Sequence, residues 1–354
     1  MALLNLPFFN SDQTLAGDMD FHYTEPQNEL EKMLGGFFCI NAVGTIEHGD
    51  DIKFSKFLDD HEPPPHMVVY IDSAGGDLKA GIGIGRKIRQ YGLWTNVGSY
   101  LLEPPDPSRP LVPRKRVNGR CMSAATMVYL GGRLRFLSEG SRFGVHRFSF
   151  KDPLPEHIGK SQELSAKIAS FVSDMRVSPE FLELSSATDA KEIDLVSEQR
   201  LKELRVVTGG QTDVIWTVQA RRGTMYVRGE RDSIYGRHKV MLGFIKDVGF
   251  FFWAVIEAQN RFEELTGFGV VEITLNCEGI KIDISDECER FQIGTDVHVF
   301  AKISNDQARI ISESESIGVQ VKFVREAPTF LGIGAMDTEG GVEQLSTFYH
   351  SFSK

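Results

Sequence analysis

Cysteine is scarce in this chain: there are four in 354 residues, and Cys39, Cys121, Cys277 and Cys288 form no Cys-x-x-Cys pair. That excludes a disulfide-built scaffold and the common zinc ribbons. Cys277 and Cys288 are spaced to face one another across a hairpin, but buried free thiols are the expectation. Positive charge is short as well, with 39 Lys and Arg against 49 Asp and Glu and a net charge of −10. Phosphate binding needs a basic surface, so nucleic acid is not expected as a partner. Long apolar runs are missing too. The longest, Val240 to Ile256, is broken by Lys246 and Asp247 and falls short of a comfortable membrane span. The first residues carry Asp12 and Asp18 and no basic n-region, so no secretory signal is read there and a cytoplasmic location is expected. No cofactor and no metal are expected. His48, His61 and His66 with Asp59 and Asp60 match no standard ligand spacing and read as a proline-bounded polar loop.

What is present divides in three. Residues 1–34 have little periodicity and read as an N-terminal extension with a short helix near Asn28 to Leu34. Residues 35–208 follow an α/β rhythm. "MVVYID" suits a strand buried on both faces, and "DLKAGIGIGRKIRQYG" suits a helix that Gly92 can stop. Between them and the next unit, the proline-dense stretch 101–118 reads as either a flap or an insertion. A helical stretch is expected from beyond His146 to about Leu184. Residues 209–354 change texture to short alternating runs such as "VVEITLNCEGIKIDIS" and "TDVHVFAKIS", separated by Gly, Asn, Asp and Ser. This predicts a mainly-β accessory domain, a sandwich with one helix near Gln307 to Ser314, whose expected role is stabilisation or binding a protein partner.

Three short stretches carry chemistry. In "IDSAGGDLKAG" a buried strand runs through Gly75-Gly76 into a helix, a turn whose amide groups can face developing negative charge. In "CMSAATMVYLGG" Ser123 stands at the start of an apolar helix, where it either caps that helix or presents its hydroxyl. In "RLRFLSEGSRFGVH" His146 ends a strand-like run. A serine hydroxyl needs a base before it becomes a good nucleophile, and histidine titrates near the required pH. "GIGIG" at 81–85 lies inside a helix and lacks the dinucleotide-binding spacing.

In that order and spacing, residues from about 35 to 207 resemble the Clp-protease/crotonase-like superfamily, in particular the Clp proteolytic subunit and its distant bacterial Clp-like relatives. The resemblance implies an α/β spiral of ββα units that assembles as a homo-oligomer. It implies a serine peptidase acting on peptide or protein substrates, with Ser123 as nucleophile, His146 as base and the Gly76 and Ala124 amides as oxyanion hole. Counting by the family's spacing reaches Asp189 as the carboxylate behind His146, with Asp194 as the alternative and a dyad as the third possibility. Departures are visible. Clp subunits have Ser-Pro-Gly-Gly where this chain has Ser73-Ala74-Gly75-Gly76, Met-Gly after the serine where it has Ala124-Ala125, and Gln-Pro after the histidine where it has Arg147-Phe148. Two other functions remain open at this point: a crotonase-like acyl-CoA enzyme, and an inactive assembly or recognition module.

Overall fold

A computed structural model describes residues 17–147, 157–189, 191–221 and 223–353. The chain divides into two compact units, with the break between Gly209 and Gly210. No helix among the described residues is long and apolar enough to cross a membrane.

The first unit opens with strand β1 (Asp20–Thr24), helix α1 (Glu29–Leu34), β2 (Cys39–Val43) and α2 (Asp50–His61). It continues through β3 (Val68–Asp72), α3 (Leu78–Gln90) and β4 (Trp94–Val97). A hairpin of β5 (Ser99–Leu102) and β6 (Arg114–Val117) leads to β7 (Arg120–Met122) and α4 (Ala125–Leu130). Then come β8 (Arg135–Leu137), β9 (Arg142–Val145), α5 (His157–Asp174), α6 (Glu180–Ala187), β10 (Asp194–Leu195) and α7 (Glu198–Glu203). The expected helical stretch past His146 is thus two helices, and its first part, 148–156, lies outside the described residues.

β1, β2, β3, β4 and β8 form one sheet, parallel from β2 to β8, with β1 antiparallel at its edge. The segment expected to be an extension therefore supplies an edge strand. Met19 and Phe21 explain why, since both side chains are buried in the unit's core. The central strand β3 buries Val69, Tyr70 and Ile71 in succession, as a parallel strand covered on both faces must. A second sheet, in the order β10-β9-β7, joins the first through a parallel bridge between Ser73 and Cys121.

α3 begins where the Asp77 carboxylate accepts the Ala80 N–H at 2.8 Å, a standard N-cap. Its glycines have a packing role. A Cβ on Gly85 would lie 2.4 Å from the Met127 carbonyl oxygen, and one on Gly81 would lie 2.7 Å from that of Ala124. Only glycine lets α3 approach the start of α4 this closely. Arg135, almost fully buried, donates to the carbonyls of Gly132, Arg205 and Val206 at 3.0, 2.6 and 2.7 Å. It thereby pins the end of the unit to the turn after α4.

The second unit contains β11 (Ile215–Arg221), β12 (Thr224–Ser233), β13 (Gly236–Ile245), β14 (Gly249–Glu257) and α8 (Phe262–Gly267). β15 (Val270–Leu275), β16 (Ile280–Asp283), β17 (Cys288–Ile293) and β18 (Asp296–Lys302) follow. The unit closes with α9 (Asn305–Ser312), β19 (Ser316–Lys322), β20 (Leu331–Asp337) and α10 (Val342–Phe352). The strands form two antiparallel sheets, β11-β12-β13-β14-β18-β17 and β16-β15-β19-β20. Both contribute to one apolar core, together with Ala308 and Ile311 of α9 and Leu345 and Phe348 of α10. The unit is β-rich but not purely β: α10 buries an apolar face that the sequence reading left unassigned. Cys277 and Cys288 are free thiols, but contrary to the expectation neither is buried: Cys277 is exposed and Cys288 half-buried.

Candidate active site

Three strands bring the site together at their carboxyl ends. β3 ends at Asp72, β7 at Met122 and β9 at Val145, and all three run parallel. Ligand sites of open parallel sheets lie at such ends. The joints are backbone hydrogen bonds: Ser73 N–H to Arg120 O at 2.7 Å, Met122 N–H to Ser73 O at 3.1 Å, and Ser123 N–H to Gly144 O at 3.1 Å. The segments carrying Gly75-Gly76, Ser123 and His146 are thereby fixed to one another.

Ser123 has φ 55°. A non-glycine residue held in the left-handed region carries strain of about 1–3 kcal/mol, and such strain gathers at functional turns. Its side chain does not cap α4. The cap position belongs to Ala124, with no side-chain bond, while the Thr126 N–H and hydroxyl both donate to the Ser123 carbonyl. The hydroxyl is directed elsewhere: Ser123 Oγ lies 2.7 Å from His146 Nε2. Both residues are partly exposed, so a substrate can reach them.

The glycine turn abuts this pair. A Cβ on Gly75 would stand 2.7 Å from Ser123 Cβ and 3.0 Å from the Ala124 nitrogen, and one on Gly76 would stand 2.0 Å from Ile46 O. The Gly75 N–H is spent on Ser73 Oγ at 3.1 Å, and Asp77 N–H on Ile46 O at 2.7 Å. Among the described residues, neither the Gly76 nor the Ala124 N–H donates a hydrogen bond. Two free amides therefore flank the serine. Below them, Asp72 Oδ1 accepts the Arg120 N–H at 3.0 Å, and burial pushes its carboxyl above the usual range.

The acidic residues singled out by spacing lie elsewhere. Asp189 Oδ2 is 2.5 Å from Arg147 Nη2, and its Oδ1 accepts the Lys191 N–H at 3.0 Å. This carboxylate is exposed and has no bond to His146. Asp194 is directly opposite Val145, one position off the strand face that carries the histidine. His146 Nδ1 is itself buried and has no hydrogen-bond partner among the described residues. The sequence reading did not single out Ile193, whose side chain lies over Gly144 beside Met122 Sδ.

Among the described residues no group of His, Cys, Asp and Glu is arranged to hold a metal. Asp59 accepts from Tyr91 OH, His61 Nδ1 lies 2.8 Å from Phe57 O, and His66 stacks on Trp94. No protein-family model matches the chain, and no curated protein does. Among solved structures, ClpP1 from Listeria monocytogenes is similar to part of it, with 17% sequence identity, 46% of this chain and 85% of that chain covered, and a TM-score of 0.33.

Proposed function

We propose that the first unit is a Clp-like serine peptidase, a spiral of ββα units that hydrolyses peptide or protein substrates as a homo-oligomer. The observation that carries the reading is the 2.7 Å contact between Ser123 Oγ and His146 Nε2. It is supported by the strained serine backbone and the two free amides alongside. In this mechanism Ser123 Oγ bonds to the substrate's carbonyl carbon while its proton passes to His146 Nε2. The carbonyl oxygen becomes an oxyanion that accepts the Gly76 and Ala124 N–H groups. The C–N bond then breaks, His146 Nε2 returns the proton to the leaving amine, and an acyl ester remains on Ser123. Water attacks that ester with His146 again as base, releasing the acid and restoring the hydroxyl. The second unit is a β-rich appendage whose role in this scheme is to stabilise the chain or to bind a protein partner.

A serine-directed fluorophosphonate tests the reading on the full chain. Wild type should label, Ser123→Ala should not, and His146→Ala should label at least about 10³-fold more slowly, as triad members behave. Equal labelling of all three, or of none, rejects the hydrolase reading. It would leave the acyl-CoA enzyme or the inactive module in its place.

A further inference from the structure

We infer that Ile193 occupies the position from which a carboxylate would orient His146, so that the site operates as a Ser–His dyad without an acidic third member. The operating part rests on the hydrolase reading; the placement does not. β10 pairs antiparallel with β9, Asp194 opposite Val145 and Leu195 opposite Gly144. Continuing that register by one residue sets Ile193 opposite His146. Directly opposed side chains leave a sheet on the same face, with Cβ atoms about 4.5–5.5 Å apart. Contact agrees with register. Ile193 Cγ2 reaches within 2.5 Å of where a Cβ on Gly144 would stand, and Gly144 is two residues before His146 on the same strand face.

The imidazole bears the consequence. Whichever tautomer it adopts, one ring nitrogen meets Ser123 Oγ and the other, buried Nδ1, faces no acceptor or donor among the described residues. Among the described residues no backbone carbonyl substitutes for the acid. An unsatisfied buried polar atom costs about 1–3 kcal/mol, and among the described residues no group selects the Nδ1–H tautomer that leaves Nε2 free to accept a proton. Among the described residues the two acids reached by spacing do not serve the ring: Arg147 holds Asp189, and Asp194 sits opposite Val145. An aliphatic side chain at 193 offers the ring neither charge nor hydrogen bond.

The test is to install the acid. Ile193 is 44% exposed, so a polar side chain fits there, and Ile193→Asp is compared with its uncharged counterpart Ile193→Asn in the full chain. Two readouts are taken: the fluorophosphonate labelling rate, and the titration of the His146 imidazole by NMR. The expected result is a labelling rate about tenfold or more above wild type in the Asp variant alone, as an orienting carboxylate supplies. The imidazole should titrate about one pH unit or more higher with Asp than with Asn, since a nearby negative charge favours the imidazolium. If the imidazole titrates alike in the two variants, the placement of residue 193 is wrong. If the titration moves but the Asp variant labels no faster than Asn, the dyad inference is overturned. A moved titration with no labelling in any protein, wild type included, upholds the placement and rejects the hydrolase reading alone.

Discussion

Gly75 and Ser123 touch: a methyl group on the glycine would stand 2.7 Å from the serine Cβ, closer than such atoms ever approach. Gly75 also has φ +101°. A Gly75→Ala variant therefore meets two penalties, conformational strain and displacement of the nucleophile. Gly209 separates them, because it has φ +60° and open space around its Cα. Gly209→Ala should cost roughly 1–3 kcal/mol of stability with no change in labelling. Gly75→Ala should cost at least as much and slow labelling of Ser123 by about 10²-fold, the effect of a misplacement near 1 Å. Urea midpoints and labelling rates on the two variants check this.

Asp189 offers a contrast. Its carboxylate is engaged by Arg147 and the Lys191 amide rather than by His146. Asp189→Asn should leave the labelling rate within about threefold of wild type, where loss of a true third member would cost about 10⁴-fold. Removing an exposed ion pair should change stability by no more than about 1 kcal/mol. A thousandfold loss of labelling in this variant would place Asp189 back in the machinery.

How much of this was legible in the residues themselves follows from the range of the interactions. The Gly75-Gly76 turn, the serine at the mouth of α4 and the histidine at the end of β9 are local strand-to-turn features, and each carries a short-range signature. So does the Asp77 cap on α3. The position facing His146 is different in kind. It depends on the register of the two-residue strand β10 against β9, set by contacts some 50 residues apart; a shift of one residue exchanges Ile193 for Asp194. Spacing pointed to acids on either side of that position and not to it. Gly81 and Gly85 of "GIGIG" read as ordinary helix residues because their partners, the Ala124 and Met127 carbonyls, are distant in sequence. β1 and α10 were missed because each is defined by what it packs against.

The 101–118 stretch, read as a flap or an insertion, is built on β5 and β6 and tied at one end by a buried ion pair. Arg114 Nη1 and Nη2 each lie 2.8 Å from a Glu31 carboxylate oxygen, and both side chains are nearly inaccessible. The Arg114 bonds, with the Gln27 and Val112 amides, hold the Glu31 carboxyl down at about 2 against the cost of burial. The unfolded chain binds this proton as pH falls below about 4.5, whereas the folded chain resists it until about 2. The contribution is therefore complete above about pH 4.5 and disappears between there and about 2. Glu31→Gln strands a buried guanidinium and should cost about 3–5 kcal/mol at neutral pH. The double variant Glu31→Leu, Arg114→Met removes both charges and should recover most of that loss. Urea midpoints and proteolysis within 103–113 provide the readout. A double variant no more stable than Glu31→Gln would show that the pair matters through shape and not charge.

His238 in β13 sets the acid response of the second unit. It is 1% exposed, and among the described residues neither ring nitrogen makes a hydrogen bond of normal geometry. Burial lowers its pKa to about 4, and the Arg231 charge across the strand pair adds to this. Glu257 and the Tyr235 backbone oppose the shift without overcoming it. The unfolded chain takes up this proton near pH 6.5 and the folded chain near 4. Stability must therefore fall as pH drops through that window, because the unfolded state binds more protons there. Carboxylates titrate in the same range, so the informative quantity is the difference between wild type and His238→Leu. Above about pH 6.5 that difference should be flat, with the variant equal to wild type or up to about 1–3 kcal/mol more stable, since it no longer buries unsatisfied nitrogens. Between about 6.5 and 4 the gap should widen in favour of the variant. In a Trp94→Phe background tryptophan fluorescence follows the unit, because the two remaining tryptophans, Trp216 and Trp253, lie within it. Profiles that stay parallel across the window would mean that the buried imidazole finds a proton partner in solution that holds its affinity near the unfolded value.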